Sequence, residues 1–178
     1  LSPAIHNAAF QHLGLNYVYL AFQVKTVKEA VEGIRALGNL RGFSVTIPHK
    51  VSAMSYLDEI DDTARHIGAI NTIVKTDNRL TGYNTDASGA LEALRQARTP
   101  LANQHVLILG SGGAARAVAF GLALHEPIAT MTILGIIDEE RANLAADLRK
   151  ETKVTIQETT LNDETLGTAL AQAQILIH

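Results

Sequence analysis

The chain has 178 residues, of which 47% are hydrophobic, so it holds enough apolar side chains for one large domain or two small ones. A net charge of −3 without a run of lysine or arginine argues against a nucleic-acid interface or a membrane-surface patch, and no apolar run approaches the ~20 residues that a bilayer span requires. The absence of cysteine excludes disulfides and thiolate metal sites, so we expect a soluble cytoplasmic protein, monomeric or homodimeric, that binds a small molecule.

The first half of the chain predicts a mixed α/β unit. Stretches of β-branched and aromatic residues predict strands, and apolar residues at helical spacing predict helices. In chain order these are a strand, a helix, a strand, a helix, two strands and a helix, over residues 17–24, 26–37, 42–47, 48–57, 69–74, 80–84 and 85–97. Pro48 suits the first turn of its helix, which puts Lys50 within that turn and Thr46 near the end of the preceding strand.

The second half follows a polar, proline-bearing join at 98–103 and predicts strands that alternate with helices. The strands cover 105–110, 131–137, 153–158 and 175–178, and the helices cover 113–124, 139–151 and 162–173. This alternation is typical of parallel βαβ units and predicts a doubly wound, Rossmann-type sheet. We therefore expect two domains, residues 1–100 and residues 101–178. Because the last predicted strand ends the chain, and this fold usually carries two linked βαβαβ halves, we expect the second sheet to be incomplete.

The segment LILGSGGAARA follows a predicted strand and opens a predicted helix, which is the context of a dinucleotide-binding loop. Gly110 permits a tight turn, and Gly112 lets the backbone approach a pyrophosphate, whose charge the N-terminal amides of the helix stabilise. Gly113 and Ala114 keep that approach open, and Ser111 lies between the first two glycines. The spacing departs from the standard Gly-x-Gly-x-x-Gly, but its context predicts a dinucleotide site at these five residues.

Asp138 follows 25 residues after Gly113, near the ~20 at which an acidic residue binds the adenosine ribose. A carboxylate there favours NAD over NADP, because it accepts hydrogen bonds from ribose hydroxyls and repels a 2′-phosphate. The alternative is that Asp138 only caps the helix over 139–151, as residues of this type often do.

Lys50 and Asp86 lie at two predicted strand-to-helix corners that could face each other across a cleft. A lysine paired with an aspartate can transfer a proton or stabilise a developing alkoxide. The alternatives are a solvated lysine at Lys50 and a helix N-cap at Asp86. Asn71 could equally be a satisfied strand asparagine, and Ser2 a cap or surface residue. The seven histidines show no paired spacing, so no metal site is expected.

Five segments in this order resemble the shikimate dehydrogenase family, including its quinate/shikimate dehydrogenase branch: LSPAIHNAAF, FSVTIPHK, GAINTIV, GYNTDASG and LGSGGAARA. The resemblance implies that Lys50, the lysine of VTIPHK, is catalytic and that Asp86 pairs with it. It also implies that Ser2, Thr46, Asn71 and Asp86 surround a polyhydroxylated ring. Such a ring needs these partners, since a buried polar group without one costs ~1–3 kcal/mol.

The chain departs from the family pattern in several places. Many relatives begin with another strand before the LSP segment and continue after ILIH to a helix bearing a substrate glutamine, so we expect the sequence to be truncated at both ends. Relatives that use NADP carry an Asn-Arg pair where this chain has GII, which again favours NAD. Arg141 could reach back toward a 2′-phosphate, so the preference stays open at this stage. Ala87 replaces a common glycine.

The resemblance implies a shikimate dehydrogenase, an oxidoreductase that interconverts 3-dehydroshikimate and shikimate by reversible hydride transfer with NAD or NADP. This reaction belongs to the chorismate pathway of aromatic amino-acid biosynthesis. One alternative is an NAD-dependent dehydrogenase of quinate catabolism. The other is a non-catalytic sensor that binds shikimate-like ligands and nucleotide, although a pure binder does not need the Lys50 and Asp86 pair. The expected partner is a small molecule rather than nucleic acid or a membrane.

Overall fold

The computed structural model describes residues 1–46 and 48–178, which form two four-stranded sheets with helices packed on them. The helices are α1 (Ser2–His12), α2 (Val27–Ala36), α3 (Asp62–Ile67), α4 (Thr85–Gln96), α5 (Gly113–His125), α6 (Asp138–Glu151) and α7 (Asp163–Gln172), with a short 3-10 helix at Ser52–Tyr56. The strands are β1 (Gly42–Ser44), β2 (Glu59–Ile60), β3 (Thr72–Thr76), β4 (Arg79–Tyr83), β5 (His105–Leu109), β6 (Thr130–Gly135), β7 (Thr155–Thr160) and β8 (Ile175–Ile177).

The first sheet is mixed, with strand order β1-β3-β4-β2. β3 pairs antiparallel with β1 and β4, whereas β2 pairs parallel with β4. Ile73 and Leu80 are fully buried in the small apolar core beneath α2 and the 3-10 helix. Lys75 lies on the same inward face of β3 as Ile73, and its ammonium donates to three carbonyls at the end of α2, at 2.7–3.2 Å. A buried cation therefore closes the C-terminus of α2, where the helix dipole is negative.

The second sheet is entirely parallel, with strand order β7-β6-β5-β8. Alternate residues of β5 serve opposite faces, since Val106 and Ile108 join the core with α5 and α6, whereas Leu107 joins the core beneath α7. Helices therefore cover both faces. The chain adds β6 and then β7 on one side of β5, and afterwards crosses back to place β8 on the other side. The doubly wound, Rossmann-type prediction is confirmed.

The two sheets meet through helices rather than through strands. Ala87 of α4 packs directly on Gly121 of α5, because a Cβ added at Gly121 would lie 3.1 Å from the Cβ of Ala87. Ile67 and Ala69 from the first half belong to the same apolar core as α5. The polar join predicted at 98–103 begins two residues after α4 ends, and the division into domains 1–100 and 101–178 stays a prediction.

Two predicted elements are wrong. Residues 17–24 join no strand among the described residues, and Val18 and Phe22 are 71% and 78% exposed. β-branched and aromatic residues suit a pleated sheet, but their presence does not provide a partner strand. The backbone of Tyr19 instead bonds the side-chain amide of Asn7.

The α-helix predicted over 48–57 is a turn followed by the 3-10 helix Ser52–Tyr56. The N–H of Ala53 bonds the carbonyl of His49 in the α-helical pattern, but the next N–H, of Met54, bonds the carbonyl of Val51 instead, while the carbonyl of Lys50 accepts from the backbone N–H of Ile70 at 2.9 Å. The strand predicted over 42–47 is formed at Gly42–Ser44, and its last residue, Ile47, lies outside the described part of the chain.

Candidate functional site

Lys50 and Asp86 meet although 36 residues separate them in the sequence. Lys50 Nζ lies 2.7 Å from Asp86 Oδ2, and the two side chains are 26% and 35% exposed. Lys50 belongs to the turn before the 3-10 helix, whereas Asp86 belongs to the first turn of α4. The predicted meeting of the two corners is therefore observed, at a place where solvent or a ligand can reach both groups.

Asn71 is held in one orientation beside this pair. Its Nδ2 donates to Asp86 Oδ1 at 2.8 Å, while its Oδ1 accepts from the backbone N–H of Thr85 at 2.9 Å and from the hydroxyl of Thr72 at 2.9 Å. A flipped amide would turn Nδ2 toward the Thr85 N–H, so that two donors would face each other. Asp86 is thus bonded through both oxygens, one to a cation and one to an amide.

The cap of α4 is Asn84 rather than Asp86. Asn84 Oδ1 accepts from the backbone N–H of Asp86 at 3.0 Å, and its Nδ2 donates to the carbonyl of Ala69 at 3.0 Å. The interpretation of Asp86 as only an N-cap is therefore wrong, because Asn84 performs that role and leaves the carboxylate of Asp86 directed at Lys50 and Asn71.

Ser2 and Thr46 are not brought into contact with this cluster. Ser2 is exposed at the start of α1, and no hydrogen bond of its side chain is found among the described residues. Thr46 borders a separate cavity of about 350 Å³ between α2 and β1. A larger open groove of about 1040 Å³ adjoins the cluster, since Thr72 and Thr85, which bond Asn71, line it. A substrate-binding role for Ser2 and Thr46 stays a prediction.

The glycine loop forms the predicted strand-to-helix turn. Gly110 has φ +108°, a conformation that side-chain-bearing residues rarely adopt, and its N–H donates to the carbonyl of Leu134. Gly112 is the N-cap of α5 and offers no side-chain cap to the first helical N–H groups. A Cβ added at Gly112 or Gly113 would meet nothing within 4 Å, so the space above the loop is open. Ser111 lies against Gly135 at the end of β6, and Ala114 is exposed.

Asp138 begins α6 at the same edge of the sheet, with a side chain 79% exposed. The N-cap of α6 is Ile137, so the interpretation of Asp138 as the helix cap is wrong. Asp138 Oδ1 accepts from Arg141 Nη1 at 2.7 Å and from the hydroxyl of Thr160 at 3.3 Å. The hydrogen bond and the charge of Arg141 lower the pKa of the Asp138 carboxyl below its usual range. The chain therefore presents an ionised carboxylate to solvent beyond β6.

Arg141 does not extend into solvent toward a 2′-phosphate, although its position in the sequence left that possibility open. Its side chain is only 10% exposed and is held by Glu158 of β7, by Asp138 and by the carbonyl of Gly135. Hydrogen bonds to the two carboxylates, that to Glu158 first, raise the pKa of the guanidinium above its usual value.

Arg116 joins the two halves of the chain, a role that sequence reasoning missed. It lies in the first turn of α5, where it donates to the carbonyls of Ile67 and His66 at the end of α3 and to Asp147 of α6. The next residues of the first half lead through Gly68 to Asn71. Arg116 therefore connects the glycine-loop helix to the segment that carries Asn71.

The described residues form neither a metal site nor a membrane-spanning helix. No group of three or more histidine, aspartate or glutamate side chains within residues 1–46 and 48–178 could hold a metal ion. Across those same ranges, every helix is too short or too polar to cross a bilayer. The features that remain are the Lys50 cluster, the open glycine loop and the exposed Asp138.

Comparisons with known proteins agree on one family. Residues 1–73 match the family model described as the shikimate dehydrogenase substrate binding domain. The chain is 50% identical over 83% of its length to a shikimate dehydrogenase (NADP(+)) of Methanothermobacter thermautotrophicus, covering 52% of that protein. It is 44% identical over 99% of its length to one of Symbiobacterium thermophilum, covering 60%. The chain thus spans little more than half the length of the curated relatives it matches.

A solved structure extends this likeness to the whole described fold. Shikimate 5-dehydrogenase from Listeria monocytogenes, solved in complex with shikimate and NAD, superposes with a TM-score of 0.91 at 37% identity. The alignment covers 99% of this chain and 62% of that one. At this identity and score, the similarity extends through both sheets and not only through residues 1–73, which match the family model.

Proposed function

Because the chain belongs to the shikimate dehydrogenase family, we propose that the protein interconverts shikimate and 3-dehydroshikimate with a nicotinamide dinucleotide. The observation that carries this proposal is the contact of Lys50 and Asn71 with the two oxygens of Asp86. A cation, an amide and a carboxylate, each partly exposed, match a substrate that is rich in hydroxyl groups and has one reacting oxygen. We propose that Ser2 and Thr46 contribute further contacts to the ring.

Lys50 acts on the oxygen of the reacting carbon. The dinucleotide, when bound, supplies the hydride for reduction and accepts it for oxidation. Reduction leaves charge on the former ketone oxygen, and Lys50 donates a proton to that oxygen, whereas oxidation returns the proton to Lys50. Asp86 holds the ammonium in position, and Asn71 holds Asp86 through one N–H of its amide, whose other N–H would bind a ring hydroxyl.

The dinucleotide binds at residues 110–114. Gly112 and Gly113 would hold its pyrophosphate, because the uncapped N–H groups of α5 favour negative charge there. We propose a preference for NAD over NADP, with Asp138 as the ribose acceptor. This proposal is supported by the exposure of Asp138 and by the burial of Arg141, which leaves a carboxylate rather than a guanidinium facing solvent. The proposed division of labour is a substrate domain at 1–100 and a nucleotide domain at 101–178.

An assay of the protein at its full natural length tests these assignments. Shikimate and quinate are offered in turn with NAD and NADP, and nicotinamide absorbance is followed. The highest kcat/KM with shikimate and NAD is expected. A higher kcat/KM with quinate would indicate a dehydrogenase of quinate catabolism. Ligand binding without turnover would indicate a sensor and contradict the proposed reaction.

A further inference from the structure

We propose that Glu158 determines cofactor preference by holding Arg141 away from the adenosine ribose, so that Asp138 alone faces it. This inference rests on the dinucleotide site of the proposed function and deepens it. Glu158 lies on β7, outside the glycine loop and outside the segment that follows β6. It is therefore a positioning residue, which acts on the cofactor through Arg141.

The contacts of Arg141 divide between a partly buried and an exposed carboxylate. Its Nε donates to Glu158 Oε2 at 2.5 Å, and its Nη1 donates to Asp138 Oδ1 at 2.7 Å and to the carbonyl of Gly135 at 3.0 Å. The side chain of Glu158 is 25% exposed, and that of Asp138 is 79% exposed. Glu158 thus anchors the inner side of the guanidinium, and Asp138 lies on its outer side.

The charges of these three groups explain the expected selectivity. Arginine stays protonated in proteins, so the guanidinium and two carboxylates carry a net charge of −1. A net negative cluster accepts hydrogen bonds from a neutral ribose hydroxyl and repels a 2′-phosphate. Removing the charge of Glu158 makes the cluster neutral and weakens the shortest hydrogen bond of Arg141. The guanidinium can then turn outward with Asp138 and bind a 2′-phosphate, for which its planar fork is suited.

Direct binding of the reduced cofactors tests the inference without turnover. NADPH and NADH are titrated by nicotinamide fluorescence into wild type and Glu158→Gln. Glutamine keeps the shape and an acceptor oxygen but removes the charge. The Kd for NADPH is expected to fall about tenfold in the variant, as one new charge-assisted hydrogen bond implies, while the Kd for NADH changes less than about threefold.

Glu139→Gln is the matched control, because Glu139 follows Asp138 in the first turn of α6 and no hydrogen bond between it and Arg141 is found among the described residues. It removes the same charge from the same neighbourhood. An equal gain in NADPH binding by Glu139→Gln, or no gain by Glu158→Gln, would overturn the inference. Glu158→Gln combined with Arg141→Gln is expected to lose the gain, and retention of the gain would also refute it.

The role of Glu158 can still be tested if the variant does not fold or if the wild type shows no turnover. If Glu158→Gln does not fold, Glu158→Asp, which withdraws the carboxylate by one methylene, is expected to give a smaller gain for NADPH, and no gain there counts against the inference. If wild type binds both dinucleotides but oxidises neither shikimate nor quinate, the proposed reaction fails while the titrations still decide the role of Glu158.

Discussion

Replacing Asp86 with asparagine would break the cluster at one atom while keeping its shape. Asp86 now accepts from Lys50 through Oδ2 and from Asn71 through Oδ1. An asparagine has one acceptor oxygen and one NH2 group, so it can satisfy only one of these donors and must present its own donor to the other. Asn71 cannot resolve the conflict by flipping, because its Oδ1 is held by the backbone N–H of Thr85.

The expected size of the effect follows from these contacts. A hydrogen bond to a charged group contributes ~1.5–3 kcal/mol, and because both side chains are a quarter to a third exposed, ~1–2 kcal/mol is the better range for this site. With ~1.4 kcal/mol for each factor of ten, kcat/KM for shikimate should fall roughly 5- to 30-fold. The loss should appear mainly in kcat if Asp86 positions Lys50 for the transition state.

The assay is steady-state oxidation of shikimate by wild type, Asp86→Asn and Asp62→Asn. Asp62 is the matched control, since it lies in the first turn of α3 with a side chain 94% exposed, so its variant loses the same helix-terminal charge without affecting Lys50. A fall of less than twofold in Asp86→Asn, or an equal fall in both variants, would refute the argument.

Two further predictions concern arginine contacts outside the Lys50 cluster, those of Arg116 and of Arg35. Arg116→Ala should speed amide exchange at residues 68–71, because the carbonyl of Ile67 loses its partner. Arg95→Ala, which removes the ion pair of Arg95 with Glu126 between the two halves, should leave that exchange unchanged, and equal protection in both variants would contradict the connection. The hydrogen bond from Arg35 lowers the pKa of Asp58, so its stabilising contribution is present above about pH 4, the unfolded value, and is lost as pH falls through the lower folded value. Between about pH 6 and about pH 3, the free energy of unfolding measured in urea should therefore fall less in Asp58→Asn than in wild type. An equal fall in both proteins would contradict this prediction.

Local signals predicted the second half of the fold well. The glycine loop, its strand and its helix are adjacent in the sequence, and their pattern directly reflects the turn that Gly110 makes with φ +108°. α3 was not predicted, although Asp61 as its side-chain cap and Gly68 in the left-handed conformation at its end are both readable signals. Lys75 was also missed, and its alternation with buried Ile73 along β3 is the signal that could have found it.

Other features depend on partners that no local pattern contains. Whether Asp86 is a cap or a charged partner depends on Lys50, 36 residues away, and on Asn84 being present to cap the helix instead. Arg116 bonds backbone carbonyls 49 and 50 residues distant, which any residue type could supply. The strand predicted at 17–24 failed for the same reason, because strand propensity does not specify a neighbouring strand.

The role of Lys50 is tested most directly by kinetics of Lys50→Ala with shikimate and dinucleotide. A group that acts mainly in the transition state should lower kcat by ~10²-fold or more when removed, with little change in KM. Lys28→Ala, at an exposed ion pair on α2, is the control and should keep wild-type kinetics. A near-normal kcat in Lys50→Ala would contradict the proposed mechanism.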